Sequence, residues 1–300
     1  MATCCIPWDA KGQFVEPIFR RGVHITLSRG TKHIYVFGTA GEGYAVTDQQ
    51  FDQIVTTFAD EMRQGQAEPM VGLINLSLGT IHERIERCRD IGVRQFQISL
   101  PCWGVLGEGE LFNFFDAVCG RFPDCQFTHY NLPRAKRMVT GQEYGRLAET
   151  HPNLVATKNT GDSQSHIRSL IEDAPQLQHF LSESGYVYGS LFGECGILAS
   201  FIMNWPKLKA LWAAGRQCDV AAMVSIQRQV DIVGRSLWET VTAGRIDGSY
   251  DKLFEKMYDS EFPLRLLPPY VGSSDDEYEA FVKLLRQRLP EWVPSALGSA

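Results

Sequence analysis

Strand-like and helix-like segments alternate through the first two thirds of the chain, and this alternation constrains the fold more than any other feature. The first strand-like segment is the shortest and has the weakest pattern, and it is accepted because it completes a set of eight. Eight strand–helix repeats in roughly 215 residues favour a closed TIM (β/α)8 barrel of the α/β class over an open doubly wound sheet. The predicted strands are residues 4–7, 33–38, 70–75, 94–100, 125–131, 153–158, 178–183 and 195–201.

Amphipathic segments between and after these runs predict the helices. Thr47 is expected to cap a helix over residues 48–63, and Thr80 precedes a second helix that Gly92 ends. The strand pattern stops near Arg216, so we expect a barrel domain over 1–216, carrying the active site, and a C-terminal helical region over 217–300. The other predicted helices span residues 111–118, 141–150, 165–173, 186–194, 204–216, 219–242, 252–260 and 275–289.

The composition argues against several classes of protein. With 300 residues, 44% of them hydrophobic, the chain can bury a large core. The net charge of -6 disfavours a nucleic-acid partner, which requires a basic surface. No apolar stretch approaches the ~20 residues of a membrane span, and the N-terminus lacks a signal-peptide pattern. We therefore expect a cytoplasmic protein with no membrane partner, and its eight cysteines, which lack C-x-x-C spacing, are expected to be reduced.

Lys158 ends an apolar run, at the end of a predicted strand where barrel enzymes have their active sites. A lysine is costly to bury, and an apolar pocket lowers its pKa, so Lys158 is a candidate amine nucleophile. Tyr130 ends the preceding run. If the two strands are neighbours, their two-residue period lets the amine and the phenol converge. The alternative is a solvated lysine just beyond a strand end.

The turn over residues 38–43 is rich in glycine, which lets backbone N–H groups approach a small anion, and Thr39 adds a hydroxyl. It lacks the lysine of a P-loop and the spacing of a dinucleotide fingerprint, so a carboxylate ligand is favoured over a diphosphate. No metal is expected, because the seven histidines show no two- or four-residue spacing on a common face. Glu42 and Glu183 are possible acids or bases, although Glu42 could instead hold its own turn.

Three segments together resemble the dihydrodipicolinate synthase / N-acetylneuraminate lyase family of class I aldolases: GTAGE at 38–42, YNLP at 130–133 and KNTGD at 158–162. Segments at 195–200 and 264–269 are similar to its last-strand glycine segment and its C-terminal signature, so the resemblance covers nearly the whole chain. It implies a barrel with a C-terminal helical region, assembled as a homotetramer (a dimer of dimers). It also implies Schiff-base chemistry on 2-oxo acids, most often pyruvate, with no cofactor.

The resemblance also implies roles for individual residues. Lys158 is expected to form the Schiff base, Tyr130 to shuttle protons, and Thr39 to relay a proton to Tyr130. The backbone N–H groups around Ala40 are expected to hold the carboxylate of the 2-oxo acid, while an aldehyde is the second substrate. The residues expected to contact substrate are Ala40, Gly41, Trp103, Glu183 and Ile197.

Four departures from the family's synthases bear on the substrate. Ala40 stands where the synthases have a second hydroxyl-bearing residue in the glycine turn. Glu183 stands where they have a glycine, and its carboxylate would narrow the pocket or contact a hydroxyl of a polyol substrate. Trp103 stands in place of a relay tyrosine, and an indole cannot shuttle protons as a phenol does. Ala135 replaces the arginine that binds the carboxylate of aspartate semialdehyde. Basic residues flank that position and could substitute for it: Arg134, Lys136 and Arg137.

The sequence leaves three functions open. The first is a Schiff-base lyase that joins or splits a 2-oxo acid and an aldehyde, distinct from a true 4-hydroxy-tetrahydrodipicolinate synthase. The second is a dehydratase or hydratase-aldolase on a 2-keto-3-deoxy sugar acid or an arylidene pyruvate, since the family's hydratase-aldolases carry a tryptophan near the place of Trp103. The third is a barrel that binds a 2-oxo acid without turnover. Trp103 has a further interpretation, as a residue that packs at a subunit interface.

Overall fold

The strands form one parallel sheet that closes on itself. The computed structural model describes residues 1–161 and 163–294, so Asp162 of the KNTGD segment and residues 295–300 of the predicted C-terminal region lie outside the described residues. The strand order follows the chain, and a bridge between Ala2 and Ala199 joins the first strand to the segment after the eighth. The predicted (β/α)8 barrel is therefore confirmed. Its strands, within the described ranges, are β1 (Ala2–Thr3), β2 (Ile34–Val36), β3 (Met70–Gly72), β4 (Gln95–Ile98), β5 (Gln126–Asn131), β6 (Leu154–Asn159), β7 (Gln178–Leu181) and β8 (Gly196–Ile197).

Helices alternate with the strands and continue after them. The boundary predicted after residue 216 falls between α8 and α9, and apolar residues of α10 and α11, such as Phe254 and Phe281, belong to the same hydrophobic core as the barrel. The helices of the described chain are α1 (Glu16–Ser28), α2 (Asp48–Gln64), α3 (Leu78–Asp90), α4 (Glu108–Phe115), α5 (Gly141–Thr150), α6 (Gln164–Asp173), α7 (Glu183–Gly189), α8 (Trp205–Arg216), α9 (Val220–Thr240), α10 (Gly248–Lys256) and α11 (Asp275–Arg288).

Local details differ from the predictions at the start of the chain and at α3. β1 lies before the predicted run over residues 4–7, which contains a proline that cannot donate to a ladder. The Cys4 N–H still donates to the Tyr35 carbonyl at 3.0 Å, so the pairing ends where the predicted strand begins. Helix α1 was not predicted. Ser77, rather than Thr80, caps α3, because its hydroxyl accepts the Thr80 N–H.

β5 and β6 are neighbours in the register that a convergent site requires. Tyr130 lies opposite Lys158 across the ladder. The preceding residue, His129, points the other way and contacts the hydroxyl of Tyr144 on α5. The two-residue period therefore sends the phenol and the amine to the inner face of the barrel and the imidazole to the outer face.

The cysteines of the described chain form no disulfide bonds, in agreement with the reduced state that the sequence predicts. All eight cysteines are free thiols; Cys102 and Cys218 are exposed, and the other six are buried. Across residues 1–161 and 163–294, none of the helices combines the length and the apolar character needed to cross a bilayer.

A buried ion pair joins the barrel to the C-terminal helices. Glu42, in the turn after β2, and Lys252, on α10, have no exposed side-chain surface. Oε2 of Glu42 accepts hydrogen bonds from Lys252 Nζ and from the indole of Trp8, both at 2.7 Å, and Oε1 accepts the Leu267 N–H at 2.6 Å. Burying two charges is tolerable only when they are paired and their other hydrogen bonds are satisfied. Of the roles predicted for Glu42, these contacts favour the structural one.

Replacing Glu42 with alanine should destabilise the protein by about 3–5 kcal/mol, because the Lys252 ammonium then stays buried without its partner. Urea unfolding followed by circular dichroism measures the change. The matched control is Glu16→Ala, which removes a half-exposed partner of Arg20 and should cost at most about 1 kcal/mol. Equal losses in the two variants would contradict a central role for the buried pair.

Candidate active site

A cavity of about 420 Å³ opens at the C-terminal end of the barrel, where enzymes of this fold have their active sites. Four of the predicted site residues, Lys158, Tyr130, Thr39 and Ala40, line it together. The remaining lining comes from the strands, the loops that follow them and α10: Thr3, Tyr35, Pro133, Arg134, Thr160, Leu198, Ala199, Ser200, Asp247, Tyr250 and Asp251.

Lys158 is buried in this cavity, with 3% of its surface exposed, which excludes the solvated alternative. Its Nζ donates a hydrogen bond to the phenol oxygen of Tyr35 at 2.8 Å and lies 3.5 Å from the ring centroid of Tyr130. Burial lowers the pKa of Lys158 to about 7, against the opposing charges of Asp247 and Asp251. About half of the amine is therefore neutral at pH 7, as a nucleophile requires.

Tyr130 and Thr39 form the second part of the site. The Tyr130 hydroxyl lies 3.3 Å from Thr39 Oγ1, within hydrogen-bond reach. Burial raises the pKa of Tyr130 to about 12, so the phenol holds its proton at neutral pH and can donate it. The hydroxyl pair predicted from the sequence is therefore brought together beside the amine.

The glycine turn after β2 is shaped by close backbone packing. A Cβ at Gly38 would lie 2.5 Å from Cε2 of Tyr35, and a Cβ at Gly41 would lie 2.8 Å from the Phe37 nitrogen. Within the described residues, the N–H groups of Thr39, Ala40 and Gly41 donate no hydrogen bond to the protein. Thr39 and Ala40 line the cavity, so this stretch of unpaired backbone donors is suited to a small anion such as a carboxylate.

Two residues predicted to contact substrate, Trp103 and Ile197, do not line this cavity. Trp103 follows β4 on the surface and is 85% exposed, with its carbonyl held by Lys136 Nζ. Ile197 lines a different cavity, and its carbonyl accepts a hydrogen bond from the Met1 amino group, so the residues after it line the site instead. The strand period alone could not reveal the position of Trp103, because it depends on how the loop after β4 runs.

Glu183 is also displaced from the predicted site. β7 ends two residues earlier, Ser182 caps α7, and Glu183 begins that helix. Its Oε1 accepts the N–H groups of Ser200 and Phe201, so the carboxylate holds the loop after β8. Glu183 lines an adjoining cavity of about 800 Å³. Gly41 is close to the site through its backbone but does not line the cavity.

The sequence predictions missed five residues of the cavity: Thr3, Tyr35, Asp247, Tyr250 and Asp251. Tyr35 precedes the glycine turn by three residues, and the inward strand period could have identified it. Asp247, Tyr250 and Asp251 come from the start of α10, which no strand pattern connects to the barrel. Their place in the site is a consequence of tertiary docking.

Carboxylates from α10 set the charge around the amine. Both oxygens of Asp247 accept hydrogen bonds from the guanidinium of Arg134, at 2.7 and 3.0 Å. Burial pushes the pKa of Asp247 upward, but the hydrogen bonds and charge of Arg134 outweigh it, so the pKa lies below the usual range. Burial, followed by the charge of Asp247, raises the pKa of Asp251 well above the usual range. The two carboxyl groups of the cavity are thus shifted in opposite directions, the pKa of Asp247 downward and the pKa of Asp251 upward.

The profile of the dihydrodipicolinate synthetase family matches residues 1–188, which include the three segments of the site. The chain belongs to this family. A DapA-like lyase of Thermococcus onnurineus, described as uncharacterised, is 24% identical over 298 residues, or 94% of this chain and 96% of that protein. A 4-hydroxy-tetrahydrodipicolinate synthase of an Exiguobacterium species is 23% identical, and the match spans only 57% of the length of each chain.

Solved structures of family members share the fold. The prophage protein YagE of E. coli K12, in complex with pyruvate, has a TM-score of 0.85 and 18% identity, over 95% of this chain and 97% of that one. A catalytic lysine mutant of the Ruminococcus gnavus sialic acid aldolase has a TM-score of 0.84 and 14% identity, over 97% and 95%. At these identities the likeness establishes the fold alone. The family includes lyases with different substrates, so this chain's reaction must be inferred from its own site.

Residues that bind metals do not cluster in the described part of this family member. Across residues 1–161 and 163–294, no group of three His, Cys, Asp or Glu side chains is placed to hold a metal ion. Two charged groups of the cavity, Arg134 and Asp247, instead pair with each other.

The pair of Arg134 and Asp247 should tune the pKa of Lys158 in opposite directions. Arg134→Ala removes a positive charge and is expected to raise that pKa by a few tenths to about one unit, whereas Asp247→Asn is expected to lower it. Competitive labelling with acetic anhydride over a range of pH, read by mass analysis of the peptide that contains Lys158, measures both shifts.

The control for this pair is Arg146→Ala, which removes an exposed arginine that pairs with Glu108 on the surface. It should leave the labelling curve of Lys158 unchanged. Shifts of the same sign in Arg134→Ala and Asp247→Asn would contradict this account of the cavity charges.

Proposed function

We propose that this chain is a Schiff-base-forming lyase, a class I aldolase in which Lys158 attacks pyruvate or another 2-oxo acid. The observation that carries the proposal is a buried lysine with a pKa near 7, at the end of a barrel strand and beside a protonated phenol. Two family members are described in matching terms: YagE was solved with pyruvate, and the sialic acid aldolase has a catalytic lysine.

In the proposed reaction, the lone pair of Lys158 Nζ forms a bond to C2 of the 2-oxo acid, and the carbonyl π electrons move to oxygen. The nitrogen loses a proton, and the oxygen gains one to give a carbinolamine. A second proton lets that hydroxyl leave as water, and the nitrogen lone pair forms the C=N bond of the iminium. Tyr130 is placed to take and return these protons, with Thr39 at its hydroxyl.

The iminium then acts as an electron sink. Loss of a proton from C3 gives an enamine, whose C3 attacks the carbonyl carbon of an aldehyde, and the new alkoxide takes up a proton. Water then hydrolyses the iminium and releases the product. The reverse sequence cleaves the same C–C bond. The unpaired N–H groups at residues 39–41 support binding of the 2-oxo acid carboxylate throughout.

The aldehyde partner is proposed to carry no carboxylate. Ala135 cannot bind an anion as the synthases' arginine does, and the neighbouring Arg134 is already bound by both oxygens of Asp247. A second anion in this cavity would meet the ionised Asp247 carboxylate. These contacts support a lyase distinct from 4-hydroxy-tetrahydrodipicolinate synthase, although several relatives have that name.

A hydratase-aldolase is the second candidate, and the adjoining cavity favours it. That cavity shares Thr160, Leu198, Ser200 and Tyr250 with the lysine cavity. Trp238 and Phe201 also line it, and the rings of Trp238 and Tyr250 meet edge to face with centroids 5.1 Å apart. An aryl group is a suitable occupant of such a surface, as in an arylidene pyruvate. Trp103, from which the sequence suggested an aromatic partner, is too exposed to serve.

The assembly and location remain predictions. We propose a homotetramer, with Trp103 and Val105 as candidate subunit contacts because both are large, apolar and exposed. A solved family member with a TM-score of 0.83 is described as a monomeric dihydrodipicolinate synthase variant, so assembly differs between relatives. The proposed cytoplasmic location rests on the sequence alone.

Reduction with borohydride in the presence of pyruvate should trap the iminium. The wild type is expected to gain the mass of one pyruvic acid less one oxygen atom, on the peptide that contains Lys158. Lys158→Ala should gain nothing, whereas Lys283→Ala, which removes an exposed lysine of α11, should label as the wild type does. No adduct with pyruvate or any other 2-oxo acid would reject the lyase proposal.

A panel of aldehydes with pyruvate should separate the candidate reactions. We expect glyceraldehyde or benzaldehyde to react with a kcat/KM at least about tenfold above that of aspartate semialdehyde, since the latter brings a carboxylate to Asp247. Asp247→Asn should reduce this difference in kcat/KM, because Arg134 then loses its ionised partner and can bind the carboxylate of aspartate semialdehyde. Preference for aspartate semialdehyde would identify a synthase, and an adduct without turnover of any aldehyde would favour the binding barrel.

A further inference from the structure

Tyr35 contacts the reacting nitrogen directly, in a different way from Tyr130. Its phenol oxygen accepts the hydrogen bond from Lys158 Nζ at 2.8 Å. Tyr130 instead presents the face of its ring to Nζ, and its hydroxyl is directed to Thr39. The amine therefore lies between two phenols, one that meets it through oxygen and one that meets it through a π face.

The Tyr35 ring is held firmly in place. It is 2% exposed and packs inside the barrel against Met1, Met70 and Leu198. On another side it passes over the glycine turn, where a Cβ at Gly38 would lie 2.5 Å from Cε2 of the ring. A tyrosine has only two side-chain torsions, so this packing fixes the position of the phenol oxygen, whereas the long lysine chain has no such rigidity of its own.

We propose that Tyr35 is a catalytic residue that holds Nζ of Lys158 for attack and then stabilises the iminium by accepting its remaining N–H. This inference rests on the Schiff-base function proposed above. It assigns the two phenols different tasks: Tyr130 moves protons on the substrate side, and Tyr35 supports the nitrogen.

The physical basis is that a hydrogen bond to a charged donor is stronger than one to a neutral donor. The neutral amine has two hydrogens and no charge, whereas the iminium nitrogen keeps one hydrogen and gains a positive charge. An acceptor fixed at Tyr35 therefore stabilises the iminium more than the free amine, which is the differential binding that accelerates a reaction. Burial, followed by the charge of Tyr130, raises the pKa of Tyr35 well above its usual range. Tyr35 is thus a neutral acceptor that does not form a permanent ion pair.

Tyr35→Phe tests the proposal, because it removes the oxygen and keeps the ring. The matched control is Tyr186→Phe, which removes a phenol that donates to the Trp212 carbonyl at 2.7 Å, away from the cavity. In Tyr35→Phe, the pyruvate concentration for half-maximal borohydride trapping should rise about tenfold to a hundredfold. In Tyr130→Phe, trapping should become slower while its half-maximal concentration changes less.

A second readout needs no 2-oxo acid. Labelling of Lys158 with acetic anhydride reports its pKa, which should fall by about half a unit or more in Tyr35→Phe, because the ammonium loses an acceptor. Tyr186→Phe should change neither readout, and a purely structural role for Tyr35 would not move the pH curve.

The outcomes separate this inference from the proposed function. If the wild type forms the adduct and Tyr35→Phe matches it in both half-maximal concentration and labelling curve, the role of Tyr35 is rejected and the lyase function stands. If the wild type forms no adduct, both are rejected, whatever the labelling curve shows. A weaker adduct together with a lower pKa of Lys158 supports the inference.

Discussion

The buried pair of Glu42 and Lys252 is the contact on which the rest of the site depends. It joins the turn after β2, which holds Thr39 and Ala40, to α10, which brings Asp247, Tyr250 and Asp251 to the cavity. Desolvating two charges is unfavourable, and the pair is sustained because the Trp8 indole and the Leu267 N–H satisfy the remaining lone pairs of the carboxylate. One interaction thus holds in place both the glycine turn and the start of α10 that brings charged groups to the cavity.

Burial lowers the pKa of Lys158 by more than the nearby carboxyl groups raise it. Two carboxyl groups of α10 favour the ammonium, yet the pKa of Lys158 falls to about 7 because the amine is almost wholly removed from water. The guanidinium of Arg134, which binds Asp247, adds a smaller charge effect that also lowers the pKa of Lys158. The barrel interior therefore supplies the main effect, and the C-terminal region adjusts it.

Periodic patterns predicted the parts of the fold and site that lie on regular elements. Lys158 and Tyr130 could be predicted because a strand places alternate residues inward, and the GTAGE turn because it is one short segment rich in glycine directly after a predicted strand. Trp103 and Glu183 lie outside the lysine cavity, because their positions depend on the path of the loop after β4 and on where β7 gives way to α7. Ile197 lies on β8 but lines a different cavity. No sequence pattern indicated that Asp247 and Asp251 lie at the site. Their approach to the barrel depends on contacts between residues some 200 positions apart, such as Glu42 and Lys252.

The barrel strands and the segments outside the sheet contribute different groups to the cavity. The groups proposed to act on a 2-oxo acid lie on strands β2, β5 and β6 and in the turn after β2, where the closed sheet restricts their movement. The groups proposed to face the second substrate lie on α10 and in the loops after β5 and β8, which the barrel does not constrain in the same way. Substitutions in α10 would therefore alter the charge of this wall while leaving the lysine and both phenols in place. The Asp247–Arg134 pair is an instance, because it sets the charge on one wall of the cavity through residues outside the sheet.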